Sequence, residues 1–168
     1  MPCRHRHSAC GTRPIRLLAV LLVACGTIAV ALPNDVTVNG HTWHVELALT
    51  TQQRERGLAN RSSLPRGHGM LFVFDETRVR DFWMKGCEMD IDIAFIGPDH
   101  RVLRIYTMPP EPGKTEEQLR LYNSVEPAMY ALEVGKGDLE AAGVKRGDEV
   151  IFSPGIPLII KAQPSAGR

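Results

Sequence analysis

Between His41 and Leu49 the chain alternates, with Trp43, Val45, Leu47 and Leu49 on one face and His44 and Glu46 on the other. A period of two marks a half-buried strand. Thr50-Thr51-Gln52-Gln53 follows, with a hydroxyl at the N-cap position, an amide three residues on and Gly57 placed to end the turn. That arrangement predicts a short helix over Thr51–Arg56. Met70 to Phe74 is apolar without a break, which fits a strand covered on both faces. Val79 to Lys85 reads as a second core strand, with Trp83 and Met70 as core residues. Ile91–Ile96 and Val102–Met108 flank Gly97-Pro98-Asp99-His100 and predict a hairpin, since proline presets φ and aspartate favours a tight bend. Pro109 to Pro127 holds four prolines and no period, so it is expected to be a long surface loop with one helical turn near Glu116–Leu121. Tyr130–Val134 reads as a strand. Asp138 is placed to cap a short helix that stops at Gly143, and Gly147-Asp148 turns into a last strand over Glu149–Ser153. Short strands separated by turns, with two brief helices, predict a mainly β fold: a compact single-domain β-sandwich or squat barrel.

The N-terminus follows a different pattern. Residues 1–24 carry Arg4, Arg6, Arg13 and Arg16 and no acid, and Leu17–Val23 is uninterruptedly apolar. A charged start before an apolar run too short to span a bilayer is a secretory signal. Leu22-Val23-Ala24-Cys25 has the form of a bacterial lipobox, in which the Cys25 thiol takes a diacylglyceryl group before cleavage in front of it. Ala29-Val30-Ala31 offers the small-x-small site of ordinary signal peptidase instead, and an uncleaved helix from Leu17 to Leu32 is a third reading. The lipoprotein reading leads. It expects a signal segment at 1–24, a spacer at 25–35, a β domain at 36–153 and a tail at 154–168, with a membrane anchor at Cys25 facing the periplasm. Cleavage after Ala31 would leave a soluble periplasmic protein.

Cysteine usage fits export. Cys3, Cys10 and Cys25 lie in or beside the signal, so Cys87 alone occupies the body and no internal disulfide is available. Cys3, His5, His7 and Cys10 have the side chains of a zinc site but precede the signal core, so no metal is assigned there. Four of the 20 basic residues also lie in the signal, leaving 16 basic against 19 acidic in the rest. A body of that balance with no long basic run is poorly suited to a phosphate backbone, which argues against nucleic acid as a partner.

Several blocks follow each other closely: Arg56-Gly57-Leu58 with Arg61, Leu64-Pro65, Gly69 to Phe74, Phe82-Trp83-Met84-Lys85, and Asp92-Ile93-Ala94-Phe95. Met108-Pro109, Tyr130-Ala131-Leu132-Glu133, Gly143-Val144 and Gly147-Asp148 continue the series. In this order they resemble the DUF192 family over Val36–Phe152. The resemblance implies a β-rich fold and a cell-envelope setting, and no established reaction. The turn Gly86-Cys87-Glu88-Met89-Asp90 departs from it: similar proteins more often have an uncharged residue at the Cys87 position and proline at the Asp90 position.

Charged residues on apolar strands are the candidates for chemistry, because a buried charge is usually paired or set at the mouth of a pocket. Lys85 and Asp92 flank one turn, so a hairpin would pair them. Glu133 lies on another apolar strand, and Arg56 and Arg61 bracket Gly57. One reading makes these charges a salt-bridge network pinning loops to the body. The other gathers Arg56, Arg61, Trp83, Lys85, Asp92 and Glu133 around a pocket, where Trp83 would stack on a small polar or sugar-like ligand. Cys87 beside Lys85 could have a lowered pKa. Met84, Cys87 and Met89 are soft ligands that could hold Cu(I), though methionine beside aromatics is ordinarily packing. Glu88, Asp90 and Asp92 lack the glycine and distant Glu of a calcium loop. No phosphate loop, His-Glu-x-x-His or Gly-x-Ser-x-Gly occurs, and no cofactor is called for. The resulting expectation is a small-ligand-binding or accessory module of the envelope. The alternative is an enzyme on a sugar or cell-wall polymer, with Asp92 or Glu133 as acid/base and Lys85 or Arg61 as anion partner.

Overall fold

The structure, a computed structural model, describes residues 32–157. The signal segment, Cys25 and the apolar Leu158-Ile159-Ile160 of the tail lie outside the described residues. The first element is β1 (Asp35–Val38), paired antiparallel with β2 (His41–Ala48). Between them Asn39 and Gly40 both take positive φ, 51° and 78°, as a two-residue hairpin turn requires. All of β1 falls outside the strands expected from the pattern, although Asn-Gly between apolar runs is its sequence signal. At the end of β2 the alternation slips, and Ala48 is buried while Leu49 is exposed.

Helix α1 (Thr51–Arg56) has the residues expected of it. Thr50 Oγ1 accepts the Gln53 N–H, and Gln53 Oε1 accepts the Thr50 N–H in return at 2.9 Å. At Gly57 φ is 47°, and a Cβ there would stand 3.3 Å from the Phe72 ring, so the chain can turn and pass this closely only without a side chain. β3 (His68–Arg78) then lies parallel to β2. Its pairing with β8 (Ala128–Gly135) breaks after Val73 and resumes only at Arg78, which frees the intervening stretch from the sheet.

The expected core strand Val79–Lys85 does not form. Only β4 (Asp81–Phe82) is extended, and it pairs with β7 (Tyr122–Asn123) in a separate two-stranded sheet. Trp83 is consequently 39 % exposed rather than a core residue, whereas Trp43 and Met70 are buried. β5 (Ile91–Ile96) and β6 (Val102–Met108) form the expected hairpin. In the proline-rich segment the helical turn is a 3-10 turn at Glu116–Gln118, and β7 was not foreseen. The Asp138 cap also requires correction: α2 (Asp138–Ala141) is capped by Gly137 at φ 85°, and Asp138 is its first residue. β9 (Val150–Phe152) ends the fold.

The large sheet has the order β6-β5-β8-β3-β2-β1-β9. It curls until its two ends meet: Arg101 bridges Glu149, and Gly147 N–H donates to the Val102 carbonyl at 2.7 Å. Of the two expected architectures the curled, barrel-like form is the one adopted. Alternation along the strands divides the apolar residues between two cores. Leu71, Val73, Ala94, Ile96, Leu132 and Val134 pack with Trp43 inside the curl. Met70, Phe72, Phe74, Ile91, Ile93 and Phe95 face outward, where Leu58, Met84 and Tyr122 cover them. The unbroken apolar runs therefore reflect strands buried on both faces.

Candidate functional site

Glu133 is the exception on that outer face. The register places it between Met70 of β3 and Ile93 of β5, both members of the outer core. Its side chain is 5 % exposed and has no hydrogen-bond or ion-pair partner among the described residues. Burial alone pushes its carboxyl up to about 8, because an apolar surround disfavours the ionised form. Such an acid is neutral at pH 7 and can both donate and accept a hydrogen bond.

An open cleft of about 510 Å³ reaches Glu133. The end of α1 with Gly57 and Leu58 forms one wall, Phe72 and Phe74 of β3 another, and the segment from Arg78 to Trp83 a third, with Lys85 and Cys87 also in the lining. The failure of β3 to pair between Val73 and Arg78 leads the chain around this space. Arg54 donates to the carbonyls of Leu49 and Val73 and lies 3.7 Å from Asp75, so its charge is committed to the fold. The Lys85 ammonium pairs with Glu116 at 2.5 Å and sits 5.9 Å from the Trp83 ring. Arg56, on the exposed rim, forms no ion pair among the described residues, and its charge acts on Glu46 from a distance.

Of the six residues singled out in the sequence, Arg56, Trp83, Lys85 and Glu133 thus line one cleft. The other two lie elsewhere. Arg61 grips Glu46 of β2 with two guanidinium nitrogens, at 2.5 and 2.8 Å, pinning the loop after α1 to the sheet. This hydrogen bond holds the Glu46 carboxyl below its usual range and raises Arg61. Asp92 is buried on the opposite face of the sheet from Glu133, since its neighbour Ile93 is the residue that pairs with Glu133. Its two oxygens accept the Thr107 hydroxyl and the Gly137 N–H, each at 2.7 Å, fixing the start of α2.

The expected Lys85–Asp92 pair is therefore absent, because Lys85 follows an irregular segment and not a strand of the hairpin. Lys85→Met and Asp92→Leu should give stability changes that add within about 0.5 kcal/mol in a double-mutant cycle. A coupling well above 1 kcal/mol in denaturant unfolding would show that they interact after all.

Cys87 differs from expectation in a similar way. Lys85 turns to Glu116, and burial, with the neighbouring Glu133 as a lesser cause, pushes the thiol up to about 11. Met84 belongs to the outer core, and Cys87 and Met89 pack against it. Sequence reading missed Arg80, which is 7 % exposed and lines the cleft, and Ser124, whose hydroxyl accepts the Arg80 backbone N–H at 2.9 Å. An arginine inside an assumed strand gives no sign that its head is buried.

A curled mixed sheet with a covered outer face and an open cleft beside it defines a small mainly β module. Residues 34–152 match the DUF192 family, described as "Uncharacterized ACR", and the chain belongs to that family. Two solved structures are similar. One, from Sinorhizobium meliloti 1021 and provisionally described as a transcription regulator, is 33 % identical with a TM-score of 0.63, covering 76 % of this chain and 98 % of that one. The other, a protein of unknown function from Novosphingobium aromaticivorans DSM 12444, is 30 % identical with a TM-score of 0.62, covering 71 % of this chain and 83 % of that one. A comparison with curated proteins finds no match.

Proposed function

We propose that this chain is a small-ligand-binding module of the bacterial cell envelope, exported by its N-terminal segment and held by lipid at Cys25, with the ligand seated over Glu133. One observation carries the binding reading: a buried carboxyl without a partner among the described residues lies where an open cleft reaches it. Buried polar groups are almost always satisfied, so one left open toward a cleft calls for a partner from outside. Half-exposed Trp83 supplies a face for stacking a ring.

The enzyme reading with Asp92 and Glu133 as its two converging carboxyls loses that pairing, because Asp92 lies on the other face of the sheet. The regulator description of one structural neighbour is not carried over as DNA binding, since residues after the signal segment hold 16 basic and 19 acidic side chains.

A screen of small metabolites and sugars by thermal shift tests the binding reading, since a native-state binder raises the apparent stability. Compounds that raise the melting temperature of the wild type are expected to lose that effect in Trp83→Ala. Hits indifferent to both Trp83 and Glu133 would place binding elsewhere. For the anchor, Cys25→Ser is expected to release the protein from membrane fractions and remove the lipid mass from the mature N-terminus, whereas a wild-type N-terminus at Leu32 would contradict lipidation.

A further inference from the structure

The Arg80 side chain occupies an unusual position for a guanidinium. It is 7 % exposed, its Cζ lies 3.9 Å from the centre of the Phe74 ring, and one terminal nitrogen donates to the Glu76 carbonyl. Among the described residues its Nε is buried without a hydrogen-bond partner and no carboxylate forms an ion pair with it. Buried arginines are ordinarily paired, because a guanidinium stripped of water and left without an anion costs several kcal/mol. Of the other cations lining the cleft, Arg54, Arg78 and Lys85 pair with Asp75, Glu76 and Glu116, which leaves Arg56 and Arg80 as the lining cations outside an ion pair among the described residues.

We propose that the cleft takes a small molecule bearing an anionic group, carboxylate or phosphate, and that Arg80 is the residue that receives this group. The inference rests on the binding reading above and specifies its ligand class. Burial and the nearby Arg78 lower the Arg80 pKa to about 10, with Glu76 and Asp75 acting the other way, which still leaves it charged at neutral pH, and an arriving anion would offset the repulsion from Arg78. Glu133, neutral at pH 7, would not repel such a ligand. A planar guanidinium backed by a ring presents its remaining N–H groups in a fixed fork, the geometry that carboxylate and phosphate oxygens match. Trp83 and Phe82 then face the uncharged body of the ligand.

The test uses benzoate, phenyl phosphate and the neutral analogue benzyl alcohol, titrated at constant ionic strength into the purified chain while the Trp83 indole N–H is followed by NMR. At least one anion should bind saturably and more tightly than benzyl alcohol, and which of them binds better separates carboxylate from phosphate as the natural group. Arg80→Met, which keeps the stem against Phe74, should weaken anion binding by about 10–100-fold, the usual worth of a hydrogen bond to a charged group. Arg80→Lys preserves the charge without the fork, should remain folded if the methionine variant does not, and should lose part of the affinity. Equal binding of benzyl alcohol and the anions would overturn the anion proposal while leaving the cleft a binding site. Anion binding unchanged in both variants would also overturn it. No response of Trp83 to any probe would count against the anion proposal and the cleft together.

Discussion

Replacing Glu133 by Gln is expected to stabilise the domain at neutral pH by roughly 3 kcal/mol. The carboxyl has an ordinary value of 4.5 when the chain is unfolded and about 8 when folded, because burial disfavours its charge. Below pH 4.5 both states are protonated and the group has no effect. As pH rises from 4.5 toward 8 the unfolded chain ionises while the folded chain holds its proton, so stability falls, by about 1.4 kcal/mol per pH unit, and levels off above 8. The glutamine variant has no such slope. The difference between wild type and variant in urea unfolding should be small at pH 4.5 and grow through pH 7. A variant destabilised at pH 7 would mean that the carboxylate is ionised and paired in the fold.

The largest loss is expected at Trp43. It is fully buried within the inner core, with His41 packed on it at 4.5 Å between ring centres, and truncation to Ala should cost about 3–5 kcal/mol in lost transfer energy and cavity. The Trp43 indole N–H is buried without a partner among the described residues, so Trp43→Phe, which removes that donor, should cost less than its lost volume alone suggests. Trp83→Ala should cost no more than about 1.5 kcal/mol, because much of the ring is already in water. Equal losses at the two tryptophans by chemical denaturation would contradict this division of roles.

The two tryptophans also show what the sequence could and could not convey. Trp43 sits in a strict alternation, and a period of two fixes both the strand and the buried face. Phe82-Trp83-Met84 is a continuous apolar run, which periodicity alone cannot distinguish from a surface segment folded over a second core. Local signals were read well: the Thr50–Gln53 capping box, the Gly97–His100 turn and the runs at Met70 and Ile91 all lie where expected. The Asn39-Gly40 hairpin was equally legible and was overlooked, because β1 before it has only four residues. The site was less visible. Grouping Lys85 with Asp92 assumed a hairpin, yet Lys85 reaches Glu116 across the proline-rich loop, a contact 31 residues distant in the chain. Arg80 became notable only once its surroundings were known, since burial of one side chain depends on loops whose paths no local pattern encodes.

On the proposed function, the fold keeps a carboxyl at Glu133 without a partner among the described residues because a ligand uses it. Glu133→Leu tests it most directly, since leucine suits the apolar surround of Met70 and Ile93. Its melting temperature and its response to compounds that shift the wild type should be measured together at pH 7.5. A higher melting temperature with the response abolished is expected, the trade of stability for function found at binding sites. A lower melting temperature, or a response equal to that of the wild type, would contradict it.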